Sequence, residues 1–330
     1  MQIPIISFES WTNPSSPKKR LETAHELVDA CHSTGFVYIT NFGIPSSIVE
    51  EAFNWSKKFY ALEEEDRTSA AHPAGSMIYR GYSKLGHEVV QAVEGEKFEG
   101  VPDYTESYGI GSDRNPEQPN VWIKESTLPG FRDFALKFHA ECWKSSELIL
   151  RALALGLGLS GEDSLLKFHS DIENELSYRH YPPISEEKVR SGEVDRLGAH
   201  TDFDSFTLLF QDSLGGLTVK HPRTGKWIDA PPIEGAVVMN IGDALERWSN
   251  DYLTSTMHRV HLPPLEESYD GEGKQRMTKP RFSIPYFVTP KGDTLLERLD
   301  IPVASGRGQK YKTITYRELC QQKSEGVFQY

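Results

Sequence analysis

A chain of 330 residues is long enough for one large domain with attached helices or for two ordinary ones, and its 38% apolar, 25% charged and 11% aromatic content excludes a disordered or fibrous protein. The net charge of −12 argues against a basic surface for nucleic acid, and the longest apolar run, 148–159, is broken by Arg151 and too short to span a bilayer. Met1-Gln2-Ile3-Pro4-Ile5-Ile6 lacks the basic start of a secretory leader. Cys31, Cys142 and Cys320 are odd in number and far apart, so a disulfide framework is not expected and a cytoplasmic, reducing setting is.

In chain order, residues 3–8 read as a strand, and Ser15-Ser16-Pro17 introduces a helix to about Ser33 with Leu21, Ala24, Leu27, Val28 and Cys31 on one face. Residues 36–40 form a short strand, and 46–61 a second helix with an acidic surface tail at Glu63-Glu64-Glu65-Asp66. Residues 72–120 are rich in Gly, Pro and Tyr and predict loops with short strands. A long helix covers about 130–157. Beyond residue 175 the texture changes to short strand-like runs separated by Gly, Pro and Asp: 176–181, 205–211, 217–220, 227–229, 236–241 and 282–288. Pro222-Arg223-Thr224-Gly225 signals a hairpin between two of them. Strands this short and regular point to a sandwich, jelly roll or barrel, with a helical N-terminal portion packed on it and a last helix near 315–323.

Two His-x-Asp pairs stand out. His169-Ser170-Asp171 lies in a helical pattern, where residues two apart point about 200° away from each other, so a surface role is expected. His200 and Asp202 enter a strand-like run, where positions two apart share a face and can converge on a metal. A third ligand from another strand would complete a two-histidine, one-carboxylate set; His258, ahead of Arg259-Val260, is the best candidate, and His261 points to the opposite face if that segment is a strand. Such a triad leaves three adjacent coordination positions open, which suits non-haem Fe(II) holding a cosubstrate together with dioxygen. Arg281 and Ser283 share a strand face and offer a guanidinium fork and a hydroxyl to one carboxylate. Arg67-Thr68-Ser69 has the same spacing but follows an acidic helix end and reads as surface.

The ordered series His200-Thr201-Asp202-Phe203, Thr207-Leu208-Leu209-Phe210-Gln211-Asp212, Gly215-Gly216-Leu217-Thr218-Val219, Asn240-Ile241-Gly242-Asp243, His258-Arg259-Val260 and Arg281-Phe282-Ser283 resembles the iron(II)/2-oxoglutarate-dependent dioxygenases of the isopenicillin N synthase-like branch. Ile3-Pro4-Ile5-Ile6 and Gly35-Phe36-Val37-Tyr38 are similar to that family's N-terminal region, so the resemblance runs from about residue 3 to 290. It implies a mainly β fold with helices: a double-stranded β-helix, or jelly-roll, core with a helical N-terminal region packed on it. It also implies an N-terminal dioxygenase region at 1–120, a helical connection at 121–174, the jelly-roll core at 175–290 and a C-terminal extension at 291–330. The implied cofactors are Fe(II) on His200, Asp202 and His258, and 2-oxoglutarate with its distal carboxylate on Arg281 and Ser283 and a further hydrogen bond from Tyr181.

Pocket candidates that follow from the resemblance are Arg80, Tyr82, Phe203 and Phe287, the last sharing strand parity with Arg281. Two features depart from the family pattern. Arg179 stands where an Asn is usual and could address a carboxylate of cosubstrate or substrate. The polar 266–279 link is long and suggests a lid or an altered pocket mouth. The expected activity is oxidation of a C–H bond of a small organic metabolite, with O2 consumed and succinate and CO2 released. Asp202 argues against a halogenase, which would need that carboxylate absent. The alternatives are a 2-oxoglutarate-independent iron oxidase of the same branch and a non-catalytic jelly roll stabilised by a metal. Against the latter, structural zinc usually takes four protein ligands, and no cysteine lies near these three.

Overall fold

The computed structural model describes residues 2–13, 16–73, 79–88, 103–264, 266–273, 276–306 and 308–324. Parts of the segment read as loops, 74–78 and 89–102, therefore lie outside the described residues, as do 265, 274 and 275 in and beside the 266–279 link.

The strands are β1 (Ile5–Ser7), β2 (Phe36–Thr40), β3 (Gly81–Ser83), β4 (Glu106–Gly111), β5 (Glu175–Tyr181), β6 (Leu197–His200), β7 (Phe206–Gln211), β8 (Leu217–Lys220), β9 (Trp227–Asp229), β10 (Ala236–Ile241), β11 (His258–Val260), β12 (Tyr269–Asp270), β13 (Met277–Thr278) and β14 (Arg281–Val288). The helices are α1 (Glu9–Thr12), α2 (Pro17–Ser33), α3 (Ser46–Tyr60), α4 (Glu64–Thr68), α5 (Phe131–Gly156), α6 (Glu186–Arg190), α7 (Asp243–Trp248) and α8 (Tyr316–Ser324). An eight-stranded sheet runs β1-β2-β10-β7-β14-β5-β4-β3, and a four-stranded sheet runs β6-β11-β8-β9. Apolar side chains of β2 and β10 meet those of β8, and Tyr181 of β5 meets Leu197 of β6 and Val260 of β11, so the two sheets face each other as a jelly roll. N-terminal strands extend the large sheet at both edges: β1 and β2 beside β10, β3 and β4 beside β5.

Alternation along β14 decides what each face does. Ile284, Tyr286 and Val288 join the main core, whose other wall is α2 and α5 on the outside of the large sheet. Arg281, Ser283 and Phe287 face the other way, into the jelly roll. The helices can approach closely because residue 156 is glycine: a Cβ there would lie 2.3 Å from the Ala24 carbonyl oxygen on α2. Ser16 caps α2 by accepting the Lys19 N–H, with Pro17 opening the helix. Leu21, expected on its buried face, is exposed. The expected hairpin forms between β8 and β9, with Gly225 at φ +66°. Within the long polar link, β12 and β13 pair antiparallel, Met277 bridges to Ser185 and Thr278 N–H donates to the Ile184 carbonyl.

Two expectations about surface residues are overturned. Residues 166–168 form a single 3-10 turn rather than regular helix, which turns His169 inward. His169 is 5% exposed, with Nδ1 2.9 Å from the Leu165 carbonyl and Nε2 2.9 Å from Ser205 Oγ. Arg67 also points in, because its long stem reaches under β3: Nη1 donates to the Tyr60 carbonyl and lies 3.3 Å from Glu106 Oε1.

Burial pushes the His169 pKa down to about 4, against about 6.5 for a solvated imidazole. Between those values the unfolded chain takes up a proton that the folded chain refuses, so this contribution to stability is lost as pH falls from about 6.5 to about 4. His169→Gln should therefore lower stability by about 1–3 kcal/mol at pH 7, and should lose less than the parent between pH 7 and 5 in thermal or urea melts. Equal acid sensitivity of the two proteins would show that His169 is not the titrating brace.

Candidate active site

His200 is the last residue of β6 and His258 the first of β11, and the antiparallel register sets them directly opposite each other. Their rings are 4.3 Å apart between centroids. Asp202 lies in the connection after β6, so a turn rather than strand parity brings it back to the histidines. His200 Nε2 is 3.7 Å and His258 Nε2 3.6 Å from the same oxygen, Asp202 Oδ1. One ligand atom from each residue falls within 4.8 Å of the others, the one such three-residue group found among the described residues.

Surrounding bonds aim these atoms. His200 Nδ1–H donates to the Gly198 carbonyl at 2.8 Å and His258 Nδ1–H to the Thr256 carbonyl at 3.1 Å, which leaves both Nε2 lone pairs free for a cation. Asp202 Oδ2 accepts from Thr207 Oγ1 and from Asn240 Nδ2 at 2.7 Å, leaving Oδ1 free. Thr207 and Asn240 are themselves register partners on β7 and β10. Burial would raise the Asp202 pKa, but the two imidazoles and these two donors overcome it and hold the carboxylate ionised. Burial first, then repulsion from His258, lowers the His200 pKa and keeps that ring neutral. Two imidazoles and a carboxylate on one side of an open space suit a divalent metal that keeps positions free for other ligands.

Arg281 opens β14 opposite Tyr181, the last residue of β5. It is 1% exposed; Nε donates to the Gly215 carbonyl at 2.9 Å, Nη1 to Ser283 Oγ at 3.3 Å, and the guanidinium lies 4.7 Å from the Tyr181 ring centre. No carboxylate among the described residues pairs with it. A guanidinium held out of water without a protein counter-charge fits an anionic ligand such as the far end of 2-oxoglutarate.

A cavity of about 210 Å³ opens beside the triad, with His200, Asp202, Phe203 and Phe287 in its wall. Phe287 faces in as its parity with Arg281 requires. Arg80 and Arg179 line it as well, each with a carboxylate: Arg179 Nη1 is 3.2 Å from Glu88 Oε2, and Arg80 Nη1 3.8 Å from Glu175 Oε2. Tyr82 does not line it. On β3 its neighbours Gly81 and Ser83 face the cavity, so Tyr82 faces away, donating its hydroxyl to Glu106 and packing on Phe59.

Glu175, Glu88 and the α8 residues Tyr316, Arg317 and Cys320 also line the cavity and were not anticipated. Glu175 was open to inference, since it shares strand parity with Arg179 and Tyr181; nothing local marks the others. Burial pushes the Glu175 carboxyl up to about 7 against the pull of Arg80 and Arg179. Burial acts the same way on Glu88, but Arg179 and the Ser107 hydroxyl outweigh it and hold that carboxyl below its usual range. No described helix is long and apolar enough to cross a membrane.

Residues 3–125 match the family described as the N-terminal region of the non-haem dioxygenase in morphine synthesis, and residues 172–290 match the 2OG-Fe(II) oxygenase superfamily. The chain is 38% identical over 283 residues to the 2-oxoglutarate-dependent dioxygenase gloF of Glarea lozoyensis, covering 83% of each protein. It is 33% identical to the proline hydroxylase buaE of Petromyces alliaceus, covering 94% of this chain and 95% of that one. The crystal structure of a full-length Neurospora crassa protein in complex with alpha-KG superposes with a TM-score of 0.86 at 35% identity, covering 98% of this chain and 96% of that one. Neither the 2-oxoglutarate-independent oxidase nor the non-catalytic jelly roll is favoured by these likenesses. By fold, by both segments of its sequence and by the relatives that span it nearly end to end, the chain belongs to the 2OG-Fe(II) oxygenase superfamily and is a 2-oxoglutarate-dependent dioxygenase that uses Fe(II).

Proposed function

We propose that His200, Asp202 and His258 hold the iron, that Arg281, Ser283 and Tyr181 hold the distal carboxylate of 2-oxoglutarate, and that the substrate enters the cavity walled by Phe203, Phe287, Arg80 and Arg179. The observation that carries this reading is the convergence of His200 Nε2 and His258 Nε2 on Asp202 Oδ1, with every other polar atom of the three side chains already engaged. Bound Fe(II) supplies the activation of O2 that couples decarboxylation of 2-oxoglutarate, to succinate and CO2, with oxidation of a substrate C–H bond.

The protein's own share is placement. The backbone carbonyls of Gly198 and Thr256 fix the tautomer and tilt of the two imidazoles, and Asn240 and Thr207 fix the carboxylate. Arg281, oriented by Gly215 and Ser283, sets how deep the cosubstrate sits. At the other end, Arg179 offers donors and Glu88 an acceptor. The substrate we infer is a compact small molecule that carries both a hydrogen-bond acceptor and a donor, with an apolar flank toward Phe203 and Phe287. Incubating the iron-loaded enzyme with a panel of such molecules, and following succinate release together with product mass, tests this directly. Turnover confined to molecules lacking either group would overturn the inferred class.

Replacing His200, Asp202 or His258 by Ala should abolish Fe(II) binding in an anaerobic titration, as well as turnover, without changing the near-UV circular dichroism. His169→Gln should keep its iron. Normal iron binding by His258→Ala would refute the triad. Arg281→Leu removes a charge-assisted pair of the kind that typically contributes about 2–5 kcal/mol. The apparent KM for 2-oxoglutarate should accordingly rise roughly 30-fold or more, since about 1.4 kcal/mol is tenfold. Ser283→Ala should move it the same way by less, and substrate affinity should change less than cosubstrate affinity in both. An unchanged 2-oxoglutarate dependence in Arg281→Leu would mean that the carboxylate is held elsewhere.

A further inference from the structure

We propose that Arg196 is a second cation of the cosubstrate subsite, acting beside Arg281 on the distal carboxylate of 2-oxoglutarate; this rests on the assignment of that carboxylate to Arg281. Arg196 sits in the bend just before β6, four residues ahead of His200. Its exposure is 0%, which makes it one of the largest fully buried side chains of the protein. Nη2 donates to the Tyr181 carbonyl at 3.3 Å, and the guanidinium lies 5.5 Å from the centre of the Tyr181 ring, the same ring that Arg281 covers at 4.7 Å. Two guanidinium groups thus gather around one tyrosine.

No ion pair among the described residues offsets them. Arg196 Nε and Nη1 are buried with no hydrogen-bond partner, and no carboxylate among the described residues pairs with either arginine. Asp212, the carboxylate whose charge Arg196 feels, already accepts from the Leu214 N–H at 3.0 Å and the Phe282 N–H at 2.6 Å. The contrast with the other inward arginines is plain: Arg67, Arg80 and Arg179 lie 3.3, 3.8 and 3.2 Å from glutamate oxygens. Unpaired buried donors and adjacent like charges are both costly, and a carboxylate seated between them relieves both at once. Burial, then Arg281, lowers the Arg196 pKa to about 10, which still leaves the side chain protonated at neutral pH.

The test is an anaerobic calorimetric titration of the iron-loaded enzyme with 2-oxoglutarate and with 2-oxopentanoate, which keeps the oxo-acid end and lacks the distal carboxylate. Arg196→Gln should weaken 2-oxoglutarate about 10- to 100-fold, and leave 2-oxopentanoate within about twofold of the parent value. A folded Arg196→Gln protein that binds 2-oxoglutarate as the parent does, or that loses both ligands equally, overturns the proposal. If the Gln variant does not fold, Arg196→Lys decides. It keeps the charge but not the planar fork, so its preference for 2-oxoglutarate over 2-oxopentanoate should fall, and an unchanged preference overturns the proposal. Arg281→Leu separates the two assignments. Loss of discrimination there but not in the Arg196 variants rejects only Arg196; discrimination intact in Arg281→Leu rejects the subsite itself.

Discussion

Antiparallel pairing of β6 with β11 places His258 opposite His200, and a second cross-strand pair, Asn240 opposite Thr207 in the other sheet, grips the carboxylate between them. The proposed metal site is therefore a junction between two sheets, each contributing one register pair. A slip of one residue in either ladder would turn a ligand, or a ligand's support, to the opposite face. The irregularity in the β6–β11 ladder between His258 and Val260 falls right beside the site, where a bulge can re-aim side chains without disturbing the rest of the sheet. The large core between the outer face of the main sheet and the α2–α5 pair holds that geometry rigid.

Charge inside the jelly roll is sorted by task. Although the chain carries a net charge of −12, four arginines with little exposure, Arg80, Arg179, Arg196 and Arg281, lie on or near its inner surfaces. Those lining the open cavity have glutamates beside them, so that end presents donors and acceptors together at nearly balanced charge. The two around Tyr181 have none among the described residues. A balanced end suits a small polar molecule, whereas an uncompensated one suits the carboxylate end of a dianion, which offsets part of that charge and adds charge-assisted bonds.

The far end of the chain takes part as well. Helix α8 places Tyr316, Arg317 and Cys320 in the cavity wall, and Lys323 lies 3.3 Å from Asp243, whose N–H donates to the Asp202 carbonyl. Arg317 also reaches Glu117, 2.8 Å away, near the N-terminal strands. His169 braces the approach to the same region from another side through Ser205, three residues after Asp202. The surroundings of the proposed metal site thus draw on residues separated by most of the chain.

Local patterns in the sequence were enough for the longer strands and helices, because alternation and the 3.6-residue period are properties of neighbouring residues, but not for short elements such as β6, α6 and α7. The same holds for the Arg-x-Ser pair and the inward face of Phe287, which follow from spacing along a single strand. Tertiary structure decided what depends on residues distant in sequence. It turned His169 and Arg67 inward and sent Tyr82 to the outer core. It brought Asp202 to the histidines through a turn, paired Glu88 with Arg179, and set α8 over the cavity. It also left Arg196 Nε and Nη1 buried with no hydrogen-bond partner among the described residues. Burial and ion pairing are sums over every neighbour in space, and no window of adjacent residues contains those neighbours.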